Sequence, residues 1–421
     1  MAALDEPMIA TSSLPALPSA RRPARIMMIN LGYAPNVIGG TEILVQSLAQ
    51  VLARHGAAVS VVSLSQNNSD WEYFDGSVHA YFIAGHPMGI ALLDPNRTAL
   101  KKILWHTLGE FNLWSASKLG AILEREKPDI IHTHSLLGLS VSLWQVALAR
   151  HIPVVHTLHD YQLLCPRGTM FRGDHPCAEQ CASCRWLTAR RRRASTAPTA
   201  VVGISEFILR AHRAQGYFPD ALQTVIPNGI NAPANDDAPR HPAPARPWRI
   251  GFIGRLHPIK GIPVLIDALK QLPLGSFIAK IAGTGNPAYE AQLKARASGL
   301  AVEFLGWIPP AEFYAQIDVL VVPSLYSEPQ GLVLLEAARA GIPVIYSNRG
   351  GLAEMGAAFP NFIAFDPERG NALSVALGSL MGAEPSREHG ERAVPALFTN
   401  ETFVESYRWL YERVRVGAMP R

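Results

Sequence analysis

Short apolar runs alternate with amphipathic helical patterns along most of the chain, beginning at residue 25. The run Arg25–Asn30 is apolar up to its last residues, which predicts a buried strand that ends in a polar loop. Between Ile43 and His55 the apolar residues recur at helical spacing and so lie on one face. In the second half, the apolar run Val319–Pro323 is followed by a helical pattern after Gly331. This alternation predicts α/β domains whose parallel sheets are covered by helices on both faces.

Residues 99–126 are predicted to be largely helical, with apolar residues on one face and Lys101 and Lys102 beside it. A basic, aromatic helix suits a membrane surface, but packing of this helix on the sheet is favoured. Helices are also expected over Glu312–Ile317 and Glu401–Val416. Further strands are predicted at Ala57–Leu64, Val78–Ile83, Asp129–His134, Pro153–Asp160, Val201–Ser205, Leu222–Ile226, Trp248–Arg255, Ile278–Ala282, Val302–Ile308 and Ile342–Tyr346.

Composition indicates where the domains end. Residues 1–24 contain prolines and serines without a sustained apolar stretch, which predicts a disordered leader rather than a signal peptide. Residues 231–247 are rich in Pro and Ala with mixed charge, as is typical of an interdomain linker. We therefore expect an N-terminal domain over 25–230, a C-terminal domain over 248–397, and a last helix over 398–421 that crosses back to the first domain.

The overall composition is that of a globular protein. Of 421 residues 48% are hydrophobic and 17% are charged, which is enough apolar material for two or three cores. The net charge of +4 does not require a nucleic-acid partner. Since no apolar run reaches the roughly 18 residues needed to span a bilayer, the expected location is the cytoplasm, with peripheral association at the inner face of the membrane as an option.

The segment Ser327–Ala337 contains a predicted anion site. Pro329 and Gly331 precede a run of good helix formers, which places a helix start at or near Gly331. The unpaired N–H groups of a first helical turn, together with the helix dipole, attract phosphate. Glu328 and Glu336 are about 12 Å apart along a helical path, so they would bind separate hydroxyl-bearing groups on either side of a diphosphate. A sugar nucleotide has this layout.

Other glycines and cations also follow predicted strands. The Gly39–Gly40 pair lets the backbone approach a ligand closely, although an ordinary turn is an equal alternative. Gly254 and Gly283 lie in the turns after two strands of the second half. Arg255 and Lys260 lie at a strand end and near a helix start, where fixed cations can stabilise the charge that grows on a departing diphosphate.

Four histidines end two adjacent strands: His132, His134, His156 and His159. The carboxyl edge of an open α/β sheet is where ligands bind. A metal centre made of these histidines is disfavoured, because His132 and His134 project to one face while His156 points into packing.

All the cysteines of the chain lie within twenty residues, as Cys165, Cys177, Cys181 and Cys184. This cluster predicts a structural zinc site in a loop insertion over 165–184; an iron–sulfur cluster, disulfides and free thiols stay open as alternatives. Five arginines and Trp186 follow in residues 185–193. They suit anionic lipid headgroups or a lipid-diphosphate acceptor, with a plain solvated helix face as the alternative. RNA is disfavoured because the segment lacks a pattern of aromatic residues for base stacking.

The spacing Glu-x7-Glu resembles the signature of retaining glycosyltransferase family 4, the glycosyl transferases group 1, which has the GT-B fold. Three further motifs of that family appear in its order: Gly39–Gly40, His159–Asp160 and Arg255…Lys260. The segment Tyr161–Gly168 is similar to a branch that carries HDY…CP and a cysteine cluster. The resemblance implies an α/β protein of two Rossmann-like parallel-sheet domains that face a central cleft.

The resemblance also implies residue roles. His159 would contact the reacting sugar, with a weaker role for Asp160, and Glu328 would support the transition state. The aromatic residue usual in the family is replaced by Gln330, which puts the donor-sugar preference in doubt. The implied catalytic residues are His159, Arg255, Lys260 and Glu328. The implied donor-binding residues are Gly39, Gly40, Gly254, Arg255, Lys260, Gly283, Pro329, Gln330, Gly331, Leu332 and Glu336, with no metal in the donor site.

The expected activity is transfer of a hexose-type sugar, with retained configuration, from a UDP- or GDP-linked donor to an acceptor hydroxyl. The acceptor is a sugar, with a lipid-linked one among the options, and the setting is cell-surface polysaccharide or glycolipid synthesis. The alternative is a non-catalytic GT-B scaffold subunit of a membrane-associated biosynthetic complex. Another GT-B enzyme, such as an epimerase or phosphorylase, is disfavoured because neither predicts the Gly-Arg…Lys motif together with Glu-x7-Glu.

Overall fold

The chain divides into two compact units. The N-terminal unit comprises Met1–Gly168, Gln180–Pro227 and Thr402–Arg421, and the C-terminal unit comprises Thr169–Glu179 and Asn228–Glu401. Among the described residues, no helix has both the length and the apolar character needed to cross a bilayer. The leader up to residue 23, the linker over 231–246 and residues 99–111 of the predicted helix lie outside the described residues. The computed structural model describes residues 24–36, 39–67, 69–84, 112–173, 175–230, 247–382 and 394–417.

The secondary structure follows the predicted alternation. The strands are β1 Arg25–Ile29, β2 Ala58–Leu64, β3 Trp71–Asp75, β4 Val78–Ile83, β5 Ile130–Thr133, β6 Val154–Leu158, β7 Phe171–Arg172, β8 His175–Pro176, β9 Ala200–Gly203, β10 Leu222–Val225, β11 Trp248–Ile253, β12 Phe277–Ala282, β13 Val302–Gly306, β14 Val319–Val322, β15 Val344–Ser347 and β16 Ile363–Phe365. The helices are α1 Gly40–Arg54, α2 Leu113–Glu126, α3 Ser142–Leu148, α4 Ala182–Leu187, α5 Ala189–Ala194, α6 Glu206–Arg213, α7 Ile262–Leu269, α8 Pro287–Arg296, α9 Pro310–Tyr314, α10 Leu332–Ala340, α11 Gly350–Gly356, α12 Ala372–Gly382 and α13 Asn400–Gly417.

The sheet of the N-terminal unit has the strand order β10-β9-β6-β5-β1-β2-β4-β3. All neighbours pair in parallel except β3, which pairs antiparallel with β4 at the edge. Sequence patterning did not predict β3, because its exposed Glu72, Tyr73 and Phe74 do not form an apolar run. One core of this unit packs α1 and the α13 residues Phe403, Tyr407 and Tyr411 against the sheet.

The sheet of the C-terminal unit is entirely parallel, with the order β13-β12-β11-β14-β15-β16. Alternate residues of β14 enter different cores: Val319 and Val321 pack with α7 and α12, whereas Leu320 and Val322 pack with α10 and α11. Since successive side chains of a strand point to opposite faces, this sheet is covered on both faces. The continuous apolar runs seen in the sequence are the consequence.

The structure differs from the sequence expectation at two helices. Trp114, expected on the apolar face of the 99–126 helix, is 47% exposed on α2, and the Lys118 ammonium lies 5.0 Å from its ring centroid. The helix expected over Glu312–Ile317 is α9, which starts earlier, at Pro310. Proline is favoured in a first helical turn because its missing N–H has no helical partner there.

Candidate active site

A pocket in the C-terminal unit opens at the carboxyl ends of β11, β12 and β13. The chain adds β12 and β13 on one side of β11 and then β14 on the other, so strand order reverses beside β11. Ligands of open parallel sheets bind at the carboxyl ends next to such a switch point. The pocket volume is about 760 Å³, which suits a ligand of nucleotide size. We call this the donor pocket; it is lined by Ile253, Gly254, Arg255, Leu256, His257, Pro258, Gly283, Thr284, Gly285, Asn286, Tyr289, Trp307, Ile308, Pro310, Val333 and Glu336.

Two glycine turns form part of the donor pocket. Gly283 has φ +126°, and a Cβ at this position would lie 1.9 Å from the Gly254 carbonyl oxygen. Its N–H donates to the Gly306 carbonyl at 2.7 Å, and the Gly254 N–H donates to the Ala282 carbonyl at 3.1 Å. Any side chain at Gly283 would therefore separate the loops after β11 and β12, which explains why this position needs glycine.

Glu336 lines the donor pocket from α10. Its Oε2 accepts a 3.0 Å hydrogen bond from the Tyr314 hydroxyl, whose oxygen also lies 3.3 Å from the Val333 carbonyl oxygen. Burial raises the pKa of Glu336, while the Tyr314 hydrogen bond and the charge of Arg339 oppose this shift. Burial also raises the pKa of Tyr314 well above its usual value, so this hydroxyl stays a donor. The carboxylate is thus held in one orientation as a hydrogen-bond acceptor.

Helix α10 begins directly after Gly331, as the Pro329 and Gly331 punctuation predicts. Gly331 has φ +106°, and a Cβ there would lie 2.3 Å from the Leu352 side chain. The first turn carries Val333, which lines the donor pocket. A helix N-terminus of this kind offers backbone N–H groups to an anion.

Lys260 and Glu328 form an ion pair, with 2.9 Å between Nζ and Oε1. Glu328 is only 6% exposed, and the Ser324 hydroxyl donates a short hydrogen bond to the same oxygen. The Lys260 ammonium also lies 5.5 Å from the Tyr326 ring centroid. The ion pair joins the turn at Lys260 to the loop after β14. Removal of either partner would be destabilising, because it leaves a charge with little access to water.

Arg255 and Lys260 both act on His257. Burial lowers the pKa of His257, and the positive charges of Arg255 and then Lys260 lower it further. The two cations predicted to bind a diphosphate therefore lie within electrostatic range of one ring. Arg255 is exposed and lines the donor pocket, whereas Lys260 is engaged by Glu328.

The predicted donor-binding and catalytic residues of the C-terminal unit fall into two groups. Gly254, Arg255, Gly283 and Glu336 line the donor pocket, whereas the following do not: Lys260, Glu328, Pro329, Gln330, Gly331 and Leu332.

Gln330, predicted as a donor residue, is buried and pairs with the backbone of Asn228. The Asn228 N–H donates to Gln330 Oε1 at 3.1 Å, and Gln330 Nε2 donates to the Asn228 carbonyl at 3.3 Å. The side chain thus holds a loop in place, and a donor contact at this position is left to the backbone.

Sequence patterning did not identify several residues of the donor pocket. Trp307 is 75% exposed, and the Tyr289 hydroxyl is buried without a hydrogen-bond partner. Asn286 caps α8 by accepting from the Ala288 and Tyr289 N–H groups. The Asn-Pro pair before α8 is a sequence signal for a helix start after a strand, and it could have located this loop.

A second, smaller cavity lies in the N-terminal unit at the carboxyl ends of β5 and β6. Its volume is about 60 Å³, and its lining includes His134, His156, His159, Asp160 and Arg191. We call it the histidine cavity. The Arg191 guanidinium donates a short hydrogen bond to the Gln162 carbonyl.

Buried histidines connect this cavity to α13. His132 Nδ1 lies 2.7 Å from the Tyr411 hydroxyl, and its Nε2 lies 2.8 Å from the Thr157 hydroxyl. Thr157 in turn contacts the Tyr407 hydroxyl at 2.8 Å. His156, expected to point into packing, is 4% exposed, with its Nδ1 2.9 Å from the Thr133 hydroxyl. These side chains are hydrogen-bonded to one another and to other protein groups.

Burial keeps the histidines neutral. His134 Nδ1 lies 3.0 Å from His159 Nε2. Burial lowers the pKa of His159 to about 4 and that of His134 well below its usual value, so the pair shares one hydrogen bond without a charge. Burial raises the pKa of Asp160 to about 6, against the opposing effects of the Gln162 N–H and Arg191.

Gly39 and Gly40 lie in the N-terminal unit, where α1 begins at Gly40. The Gly39 N–H donates to the carboxylate of the buried Glu42 at 2.7 Å, which closes the first turn of the helix. Val37 and Ile38, just before this turn, lie outside the described residues.

None of the four cysteines, all of which are among the described residues, forms a disulfide. Burial, together with the thiols of Cys181 and Cys165, raises the pKa of the Cys184 thiol to about 12, so these three sulfur atoms are neighbours. Over the described ranges, no three His, Cys, Asp or Glu side chains are placed as a ready metal site. The four-cysteine zinc site therefore stays a prediction.

Family models match both halves of the chain. Residues 38–232 match the model described as Glycosyltransferase Family 4, and residues 234–394 match the model described as Glycosyl transferases group 1. A protein from the cps region of Klebsiella pneumoniae, described as an uncharacterized 42.6 kDa protein, is 31% identical over 80% of this chain and 88% of its own. The chain belongs to the glycosyltransferase family that these two models describe, the glycosyl transferases group 1 and glycosyltransferase family 4. A Mycobacterium tuberculosis glycogen synthase is 28% identical to this glycosyltransferase over 90% of this chain and 91% of its own.

Solved structures share the fold of this glycosyltransferase. Sucrose-phosphate synthase from Thermosynechococcus elongatus superposes with a TM-score of 0.69 at 22% identity, over 94% of this chain and 100% of that one. The HepE protein of Anabaena, in complex with UDP and glucose, has a TM-score of 0.63 at 18% identity, over 92% of this chain and 99% of that one. These likenesses identify the GT-B fold, as the sequence motifs predicted.

Proposed function

We propose that this glycosyltransferase moves a hexose-type sugar from a nucleotide-diphosphate donor to an acceptor hydroxyl, with retained anomeric configuration. The observation that carries the proposal is the donor pocket, in which Arg255 and Glu336 line one volume of nucleotide size. The donor is UDP- or GDP-linked, and the HepE complex with UDP and glucose supports the former. A role in cell-surface polysaccharide or glycolipid synthesis is supported by the cps-region relative.

In this proposal Glu336 binds the ribose hydroxyls. Tyr314 holds one carboxylate oxygen, and the second oxygen accepts from the ribose. Arg255 and Lys260 neutralise the leaving diphosphate together with the N-terminal turn of α10, and no metal is needed at the donor site. Glu328 contacts the sugar and supports an oxocarbenium-like transition state. His159 contacts the same sugar, and Gly39 and Gly40 approach the diphosphate, as the family resemblance implies.

The donor class is tested by a thermal-shift screen against UDP, GDP, ADP and their sugars, followed by an assay for donor hydrolysis. We expect one nucleoside diphosphate to raise the melting temperature, because a ligand that binds only the folded state stabilises it. We also expect slow hydrolysis of the matching nucleotide sugar. If millimolar concentrations of every donor leave the melting temperature unchanged and no donor is hydrolysed, the scaffold function replaces the catalytic one.

The substitution Glu336→Ala is expected to weaken donor binding by about 10- to 100-fold, since it removes hydrogen bonds from hydroxyls to a charged group. Isothermal titration with the nucleoside diphosphate measures this change. Glu312→Ala, which removes an exposed carboxylate of α9, is the matched control and should bind as the wild type does. Unchanged affinity in Glu336→Ala would contradict the ribose role.

We propose that Cys165, Cys177, Cys181 and Cys184 hold a structural zinc ion, which would deprotonate the thiols and fix the loop between them. Elemental analysis of purified protein should then give one equivalent of zinc per chain. Cys184→Ser should lose the metal and melt at a lower temperature, whereas Ser183→Ala should keep it. Less than one equivalent of metal in wild-type protein contradicts the site.

The protein is proposed to work in the cytoplasm, at the inner face of the membrane.

A further inference from the structure

Helices α4 and α5 expose an unusual combination of side chains. Trp186 is 78% exposed and Leu187 is 44% exposed, although both are large apolar residues. Arg185, Arg190 and Arg193 beside them are also exposed. Trp186 therefore contributes little to the core of its own unit, and most of its apolar surface is open to a partner.

The two short helices present one continuous stripe. The buried positions flank α5: Thr188 lies between the two helices and Ser195 directly follows the second one. With the half-buried Arg191 between them, their spacing of three to four residues defines an inner face. Arg190 and Arg193 follow Trp186 by four and seven residues, which places all three on the opposite face. We call Trp186, Arg190 and Arg193 the Trp186 face.

Hydrogen bonds at Thr188, between α4 and α5, hold the segment that carries the Trp186 face. The Thr188 hydroxyl accepts a 2.7 Å hydrogen bond from Gln180 and donates at 2.9 Å to the Cys184 carbonyl. The Tyr217 hydroxyl contacts Thr188 at 3.0 Å. Because the residue that joins the two helices is fixed by these buried polar contacts, the exposure of Trp186 is a property of the folded unit and not of a loose loop.

The charged residues in the segment around α4 and α5 are all positive. Residues 180–205 include five arginines and no aspartate or glutamate. Interfacial tryptophan and leucine combined with exposed arginine is the composition of a surface that lies in the headgroup layer of an anionic bilayer. A protein partner for such a stripe would need a strongly acidic groove, whereas a bilayer supplies both negative charge and an apolar layer.

We propose that the Trp186 face docks on an anionic lipid bilayer. The arginines contact lipid phosphates, and the indole of Trp186 enters the boundary between headgroups and acyl chains. Arg191, on the inner side of the same helix, lines the histidine cavity. Docking therefore brings that cavity close to the headgroup layer, where a lipid-linked acceptor would be presented. The proposal thus assigns a surface to the membrane location given under the proposed function, and only the presentation of an acceptor rests on the proposed activity.

The test is flotation of the purified full chain with vesicles. One set contains phosphatidylcholine alone, and the other contains phosphatidylcholine with 30% phosphatidylglycerol, at about 0.1 M and 0.5 M salt. We expect binding to the anionic vesicles at low salt, weak binding to the neutral ones, and a marked loss at high salt as screening increases. The variant Trp186→Ala/Arg190→Gln/Arg193→Gln should lower the partition coefficient by about 30-fold or more.

Matched variants distinguish binding through the Trp186 face from a general effect of positive surface charge. Phe74→Ala/Arg210→Gln/Arg213→Gln also removes one exposed aromatic residue and two exposed arginines of the same unit, and it should bind as the wild type does. Trp186→Phe/Arg190→Lys/Arg193→Lys should retain most binding. All three variants should keep the donor-induced thermal shift, so a failure of docking and a failure of the proposed activity are told apart.

Three outcomes would overturn the proposal: wild-type protein that does not float with anionic vesicles at low salt, equal losses in the two triple variants that remove charge, or tighter binding to single-stranded RNA that the Trp186 variant abolishes. The last would reassign the face to nucleic acid.

Discussion

Arg255→Ala is expected to lower turnover of the nucleotide-sugar donor by ~10²-fold or more, because it removes a fixed positive charge where negative charge grows on the leaving diphosphate. Arg255 is exposed in the donor pocket, so its loss should leave the free energy of unfolding within about 0.5 kcal/mol of the wild type. The measurement is steady-state kinetics with the donor identified by the thermal-shift screen, together with urea denaturation.

Lys260→Ala should lower turnover to a similar extent but with an added cost in stability. Its ion pair with Glu328 is broken, and the buried carboxylate is left without its cation. Lys260→Ala/Glu328→Gln should recover stability, because no charge is left buried without its partner. Its turnover is compared with that of Glu328→Gln alone, since Glu328 is itself proposed to contact the sugar. Arg369→Ala, an exposed arginine of the same unit, is the control. Wild-type rates in both Arg255→Ala and Lys260→Ala would remove the diphosphate assignment.

The N-terminal unit is expected to lose roughly 4 kcal/mol of stability between pH 7 and pH 5. Burial lowers the pKa of His156 to about 3 and that of His212 to about 4, below the value of an unfolded chain. The unfolded state therefore binds more protons between pH 6.5 and 4, and stability falls as the pH falls through this window. Each of these two buried histidines contributes roughly 2 kcal/mol at pH 5.

Other groups add to this effect or oppose it. The pKa values of His132 and His134 are also lowered well below normal by burial, and they act in the same direction. Asp160 acts in the opposite direction, because burial raises its pKa to about 6 and its protonation relieves a cost of folding. With a single carboxyl against several histidines, the net change is destabilising.

The variant His212→Leu tests this account at one position. His212 is fully buried, Nδ1 lies 2.9 Å from the Ile208 carbonyl, and Nε2 has no hydrogen-bond partner. Removal of the titrating ring should reduce the loss between pH 7 and pH 5 by about 2 kcal/mol, as measured by urea denaturation at both pH values. His55→Gln, at an exposed histidine, should leave the loss unchanged. Identical losses in His212→Leu and wild type would contradict the burial explanation.

Local sequence carried most of the information on the elements of this glycosyltransferase. The apolar runs that form β11 and β14 are buried from both faces of their sheet. They could therefore be recognised as strands without knowing which face each residue points to. The turn at Gly331 was also predictable, because a residue with positive φ before α10 is best supplied by glycine. The edge strand β3 was not predictable, because its residues face solvent and its pairing with β4 depends on a neighbour rather than on its own pattern.

Contacts between residues that are far apart in the sequence could not be predicted from the hydrophobic pattern or the motifs. Nothing in the segment around Glu336 indicated that Tyr314 would hold its carboxylate, and nothing near Lys260 indicated its pairing with Glu328, 68 positions away. The bond of Gln330 to Asn228 likewise joins residues far apart in the chain. The family resemblance implied a donor contact at this position, while the side chain itself bonds to the backbone of Asn228.

The sequence alone determined the α/β class, the family, the order of the strands along the chain and the residue types available for phosphate and hydroxyl binding, because these depend on local propensity and on motifs. The tertiary structure decided which of those residues share a pocket, which histidines are neutral and which surface is left uncovered. Pocket sharing, protonation and exposure depend on burial and on neighbours brought from other parts of the chain, and one-dimensional patterning does not contain these.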